Sequence, residues 1–328
     1  MQRALTILLA LALDLAFGDP PNRFHPVVLM GRWLSWGRRL APQQHRFWFG
    51  AGWIVAGLAL FTLPWLKRAT SNEQLTMNNE QLTMNNPPTL QPSILPSFHP
   101  SLLPSLLLKP IFAYRNLRRS VNEVAEALAA DNLPEARRLL SWHLVSRDTS
   151  ELTAEEVAGA AIESLAENLT DSLAAPLLAY AIGGLPAAWG YRFVNTADAM
   201  WGYRTAEFEA LGKFAARLDD ALNWLPARLT GWLLVAAAAL SGADARRAAR
   251  VMLGQHTRTA SPNAGWTMSA MAGALNITLT KRGVYELSGG PDPVQVATIR
   301  RAIRLADRCV GLTAGLCLAI AARRRGSI

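Results

Sequence analysis

Charge is scarce in this chain. Only 17% of its 328 residues are Asp, Glu, Lys or Arg, against about 25% in an ordinary soluble domain. Cysteine is scarcer still. Cys309 and Cys317 are the whole complement, eight residues apart in an apolar stretch, a spacing that matches no metal motif and makes no disulfide framework. They read as small apolar residues of a helix. The sequence has no GxxxxGK[ST] phosphate loop, no GxGxxG turn after a strand, no HExxH and no GxSxG elbow. Nucleotide or hydrolytic chemistry here would therefore use none of the common signatures. Long alternating strand patterns are missing too; only "NITLTKRGVYEL" suggests a short hairpin. The formal net charge of +9 comes without a Lys/Arg block interleaved with aromatics, which argues against nucleic acid as a partner.

What the chain has in quantity is apolar surface and tryptophan. Hydrophobic residues make up 51%, with 11 Trp, a residue that favours the water–lipid interface. Residues 47–66, "FWFGAGWIVAGLALFTLPWL", carry no charge and are followed by Lys67 and Arg68. That is long enough to span a bilayer. The segments 4–17, 172–190, 229–243 and 309–321 are shorter or broken by Pro and Gly, so each fits a span, a re-entrant piece or a core helix. The start, "MQRALTILLALALDLAFGDPP", mimics a signal peptide but lacks a small-x-small cleavage site, and Asp14 interrupts its apolar run. It reads as a retained helix closed by Gly18 and Pro20.

Residues 70–110 stand apart. "NEQLTMN" occurs at 72–78 and unchanged at 79–85, followed by the Pro-spaced "PPTLQPSILPSFHPSLLPSLLLKP". Two copies are too few for a solenoid, and the prolines predict an extended, mobile insert in which His99 has no role. From residue 116 the periodicity is helical. "TAEE" at 153–156 is a capping box. The expected fold is an all-α, polytopic helical membrane protein with a polar helical and loop site region. Its expected parts are a membrane region at 1–69, the insert at 70–110 and a helical catalytic and membrane region at 111–328.

The capped helix carries the first chemical signal. In "AAIESLAENLTDSLAAP", Glu163, Glu167 and Asp171 recur every four residues, within an arc of about 80°. Ile162, Leu165, Leu169 and Leu173 take the opposite face. Like charges stacked this way repel, so either water solvates them or a positive group binds there. Other clusters combine acids, amides and arginines. Asp19 and His25 flank a Gly-Pro turn. Arg147 and Asp148 precede the capped helix. Asn195, Asp198 and Arg204 fall in "VNTADAMWGYR", and Arg217, Asp219, Asp220, Asn223 and Arg228 in "ARLDDALNWLPARL". Ser261 and Asn263 open a small-residue helix, and "KRGVY" supplies Lys281 and Tyr285. Taken singly these have plain structural readings: His25 as a loop residue, Asp219–Asp220 as a solvated pair, Met268 and Met271 as core. Together they supply oxygen ligands for Mg²⁺ and arginines for phosphate or carboxylate.

The ordered set "DLAFGDPPNRFHPV", "SRDTSEL", "AAIESLAENLTDSLAAPLL", "NTADAMWGYR", "ARLDDALNWLPARL", "SPNAGWTMSAMAGAL" and "KRGVY" resembles the CobD/CbiB family of cobalamin biosynthesis, the adenosylcobinamide-phosphate synthases. The resemblance covers nearly the whole chain outside 70–110. It implies a multi-pass protein of the inner (cytoplasmic) membrane. The implied reaction is an ATP- and Mg²⁺-dependent amide ligation, joining adenosylcobyric acid, at its ring D propionate, to aminopropanol or its O-phosphate. Contact with membrane lipid and complexes with other membrane enzymes of the pathway follow as expected partners. On that chemistry Glu163, Glu167 and Asp171 are expected to hold Mg²⁺. Arg204, Arg217 and Arg228 would neutralise phosphoryl charge, and Asp198 or Asp219 would take the amine proton. Asn168, Asn195 and Asn263 would orient the corrinoid, with Asp19, His25, Arg147, Asp148 and Lys281 also placed in substrate binding. A membrane carrier for a corrinoid or other small anion, and a structural scaffold, are the competing classes.

Overall fold

In the computed structural model the apolar periodicities become helices almost throughout. The structure describes residues 2–20, 25–85 and 100–323, and of 67–85 only the backbone. The helices are α1 (Gln2–Phe17), α2 (Pro26–Leu40), α3 (Arg46–Asn85), α4 (Leu102–Leu108), α5 (Tyr114–Ala129), α6 (Leu133–His143), α7 (Ala154–Leu169), α8 (Ala175–Trp201), α9 (Phe208–Leu211), α10 (Lys213–Leu240), α11 (Ala245–Gln255), α12 (Ala264–Leu275) and α13 (Val296–Arg323). Among the described residues one hairpin, β1 (Thr278–Lys281) and β2 (Tyr285–Ser288), pairs antiparallel with Leu279 opposite Leu287. Its tip needs Gly283, at φ +70°. This is an all-α protein, and among the described residues three helical stretches are long and apolar enough to cross a membrane: Arg46–Leu66, Ala154–Trp201 and Val296–Arg323.

Local chemistry sets the helix ends. Gly18, at φ +70°, donates its N–H to the Asp14 carbonyl and closes α1, as its sequence predicted. The Thr153 hydroxyl and the Glu156 carboxylate cap each other's backbone N–H groups at the start of α7. His25 caps α2, its Nδ1 accepting from Val27 N. The plain structural reading of that residue is the one its geometry supports.

α7 and α8 form one rod of 48 residues, joined by a π-helical turn, Thr170–Ala174. Such a turn frees main-chain carbonyls from the α ladder. Here Asp171 O lies 3.2 Å from Tyr191 Oη, and Ala113 N donates to Ser172 O (3.2 Å). A second break follows where Gly184 adopts φ +70° ahead of Pro186; the Arg3 guanidinium donates to Ile182 O at 3.1 Å. The rod is the centre of the fold. α7 packs against α5, α6, α12 and α13, and α8 against α2, α3 and α10. Gly57 lets α3 close onto α8, since a Cβ there would strike the Phe193 ring. Met268 and Met271 are core residues.

The stretch 70–110 departs from the extended insert that its prolines suggested. α3 continues without a break through both "NEQLTMN" copies to Asn85, because the repeat contains neither Pro nor Gly. Pro104 falls in the first turn of α4, where a backbone N–H would have no helical acceptor. Ser105, Leu108 and Lys109 are buried, so the end of the supposed insert belongs to the packed fold. Residues 86–99, with His99, lie outside the described residues.

Candidate active site

Both faces of α7 are buried. Ile162, Leu165 and Leu169 are fully covered, and Glu163 on the other side is only 6% exposed. The solvated-stripe explanation therefore fails for Glu163, which protein covers, while Glu167 and Asp171 are half-buried. All three open onto two small cavities in a row, with Glu167 bordering both.

The first cavity, about 180 Å³, is lined by Ser146, Arg147, Glu163, Ser164, Glu167, Lys281 and Tyr285, among others. Three elements build it: the loop before α7, α7 itself and the hairpin. An Arg147 guanidinium nitrogen stands 3.9 Å from Glu163 Oε2. Burial, followed by the charges of Glu163 and Glu167, raises the Tyr285 hydroxyl, so it stays a protonated donor. The hairpin is held down from outside. The Arg282 guanidinium grips the Glu156 carboxylate with two nitrogens, and Ser288 exchanges two hydrogen bonds with the Gln255 side chain.

The second cavity, about 20 Å³, lies between the π-helical turn, α10 and the start of α12. Glu167, Thr170, Asp171, Asp219, Asn223, Ser261, Asn263 and Ala264 line it. Asp219 is held on both oxygens, by Asn223 Nδ2 at 2.9 Å and Asn195 Nδ2 at 3.4 Å. Tyr191 Oη donates to Asn223 Oδ1 (2.9 Å) and so fixes which end of that amide faces Asp219. Burial first, then the Asp198 carboxylate, raises the Asp219 carboxyl, against the lowering by the two amides. Burial also raises Asp220, opposed by Arg204. The reading of Asp219–Asp220 as a solvated pair does not hold for Asp219, which is 7% exposed.

Among the described residues no three acids, histidines or cysteines gather as a three-residue ion site needs; Glu163, Glu167 and Asp171 are strung along the two cavities. Other expected residues are engaged elsewhere. Asn168 bonds within its own helix, to Ser164 O and Ser172 Oγ. Asp148 forms an exposed turn with Ser150. The Arg228 guanidinium stacks on the rings of Trp224 and Trp266, at 4.1 and 4.8 Å, while Arg204 and Arg217 are exposed. Asp19 meets Lys109 Nζ at 2.5 Å and Asn116 Nδ2 at 2.6 Å. It lies at the edge of a separate, mostly apolar cavity of about 710 Å³ between α1, α4 and α8. Thr170 lines the second cavity, Tyr191 fixes Asn223 beside it and Lys109 pairs with Asp19, none of which the sequence singled out. Only Thr170 had a signal, its place beside Asp171.

A family model described as CobD/Cbib protein matches residues 7–306. The chain belongs to the CobD/CbiB family. Among its relatives, a probable cobalamin biosynthesis protein CobD of Methanothermobacter thermautotrophicus is 40% identical, over 94% of each chain. The cobalamin biosynthesis protein CobD of Dehalococcoides mccartyi is 36% identical over 91% of each. That of Brucella suis is 34% identical over 93% of this chain and 90% of its own. No solved structure matches. The matched residues include those that line both cavities.

Proposed function

We propose that this membrane protein makes an amide in cobalamin biosynthesis, joining aminopropanol O-phosphate to the ring D propionate of adenosylcobyric acid at the expense of ATP, at the inner membrane. One observation carries the reading. The 180 Å³ cavity brings two cations, Arg147 and Lys281, together with two carboxylates, Glu163 and Glu167. It is smaller than the roughly 300 Å³ at which pockets for drug-sized ligands begin. A small zwitterion suits it: the phosphate of the donor against Arg147 and Lys281, its ammonium against the glutamates. The phosphorylated amine, rather than the free alcohol, is thus the preferred donor.

The chemistry follows from what each partner lacks. A carboxylate acylates poorly, so a propionate oxygen first attacks the γ-phosphorus of ATP, releasing ADP and leaving an acyl phosphate. The amine nitrogen then attacks the acyl carbon and phosphate departs. Before attack the ammonium gives a proton to Glu163 or Glu167, and the Tyr285 hydroxyl steadies Glu163 as a donor neighbour. Asp198 and Asp219, the bases expected from sequence, lie toward the second cavity and suit the phosphoryl half of the reaction better. A divalent cation would supply charge neutralisation there, and an all-oxygen lining fits a hard ion.

Purified protein given adenosylcobyric acid, ATP, Mg²⁺ and each amine form tests this by mass spectrometry of the amide. Turnover should favour the phosphorylated donor, and Lys281→Ala should raise its KM about tenfold or more while hardly changing that of aminopropanol. Absence of amide with either donor would sink the ligase reading. Equal KM effects on both donors would remove the phosphate from Lys281.

A further inference from the structure

The second cavity has a feature that acidic residues alone do not explain. Two of its neutral oxygens are buried and without a hydrogen-bond partner among the described residues: Thr170 Oγ1 and Asn263 Oδ1, in residues 3% and 5% exposed. Neither amide end of Asn263 is arbitrary. Its Nδ2 donates to Asp220 O at 2.9 Å, which leaves Oδ1 as the free end. Asp171 and Asp219 face the same 20 Å³ space, and the two carboxylates repel each other. No lysine, arginine or histidine lines it. A buried acceptor with no donor is costly, and this space collects several.

A single water, which the volume admits, can accept from the Thr170 hydroxyl and donate to two of these oxygens, but it leaves the charges of Asp171 and Asp219 uncompensated. A divalent cation serves all of them at once and removes the repulsion. The set is oxygen only, which selects a hard ion over zinc or copper. We infer that this cavity binds one Mg²⁺-class cation, held by Asp171, Asp219, Thr170 Oγ1 and Asn263 Oδ1, with water completing the shell. Glu167 stands beside it, at the wall shared with the first cavity. Glu163 is not a ligand. The wide turn at Thr170–Ala174 is what brings adjacent residues, Thr170 and Asp171, to one cavity, and Asn195, Asn223 and Tyr191 hold Asp219 in position from behind. As a cation site this stands on geometry; as the cation of phosphoryl transfer it rests on the ligase reading.

The test uses Mn²⁺ as a spectroscopic probe on the full chain in detergent, by electron paramagnetic resonance, with and without a non-hydrolysable ATP analogue. One Mn²⁺ per chain, displaced by Mg²⁺ but not by K⁺, is expected. Asn263→Leu and Thr170→Val should each weaken it about tenfold or more, Asn263→Asp should retain it, and Glu163→Gln should bind as the wild type. Melting temperature in the same detergent separates lost binding from lost fold. Wild-type protein that takes up no stoichiometric Mn²⁺ under either condition overturns the site. So do Asn263→Leu and Thr170→Val proteins that melt normally and bind Mn²⁺ like the wild type. Amide formation is read separately: Mn²⁺ binding without amide leaves the site standing and removes the ligase, and amide without Mn²⁺ binding does the reverse.

Discussion

Two of the three described stretches with the length and apolarity of membrane spans treat their side chains in opposite ways. In the apolar 18-residue window of Arg46–Leu66 only 17% is buried inside the protein, and in that of Ala154–Trp201, 61%. The first turns Val55, Leu60 and Leu63 outward, at 55, 52 and 48% exposed, and carries no acid. The second covers most of its leucines, with Glu163 buried and Glu167 and Asp171 half-buried. The first offers apolar surface of the kind lipid covers, and protein covers most of the second. A carboxylate tolerated on the rod would be expelled from α3, because only the rod supplies amides, hydroxyls and cations around it.

That contrast can be broken by substitution. The largest effect should come from Leu165→Ala, which opens a hole in a fully buried site and should cost about 2–5 kcal/mol. Leu60→Ala on α3 should stay within about 0.5 kcal/mol. Thermal melts in detergent measure both, and equal losses would mean that the two helices share one environment. Next, Glu167→Gln, at the wall between the cavities, should lower the rate of amide formation about 100-fold. Thr62→Val on α3, whose hydroxyl bonds only Leu58 O within its own helix, should leave that rate alone. Tyr191→Phe leaves Asn223 Oδ1 without its buried donor and should cost about 1–3 kcal/mol, read as a lower melting temperature. The smallest effect belongs to the exposed pair at the hairpin tip. Arg282→Ala should cost at most about 1 kcal/mol, and less as salt is raised.

Much of the scaffold was legible in the residues. Helical periodicity, the Thr153–Glu156 box, the Gly18 stop and the 278–288 hairpin all depend on short-range chemistry, which a sequence states directly. The environment of the acids was not legible, because a spacing of four looks the same beside water and beside another helix. Asp219 was misjudged for that reason: its cover comes from Asn195 and Asn223, the first of them 24 residues away. Lys109 was hidden by the prolines before it, although its ammonium sits 2.9 Å from Asp14 and 2.5 Å from Asp19, about 90 residues upstream. Arg228 was placed in the site from its motif, "ARLDDALNWLPARL", and the resemblance. Its ring partners, Trp224 and Trp266, lie on different helices, and only the fold shows them closing on it.

Glu156 works as a joint between two elements. One carboxylate closes the first turn of α7 and also receives Arg282 from the hairpin. One residue before Arg282 is Lys281, whose side chain reaches the small cavity. The start of the acid-bearing helix and the arm that delivers its opposing charge are thus clasped together at Glu156. Fraying at residue 156 would loosen the cationic wall while leaving every acid where it is.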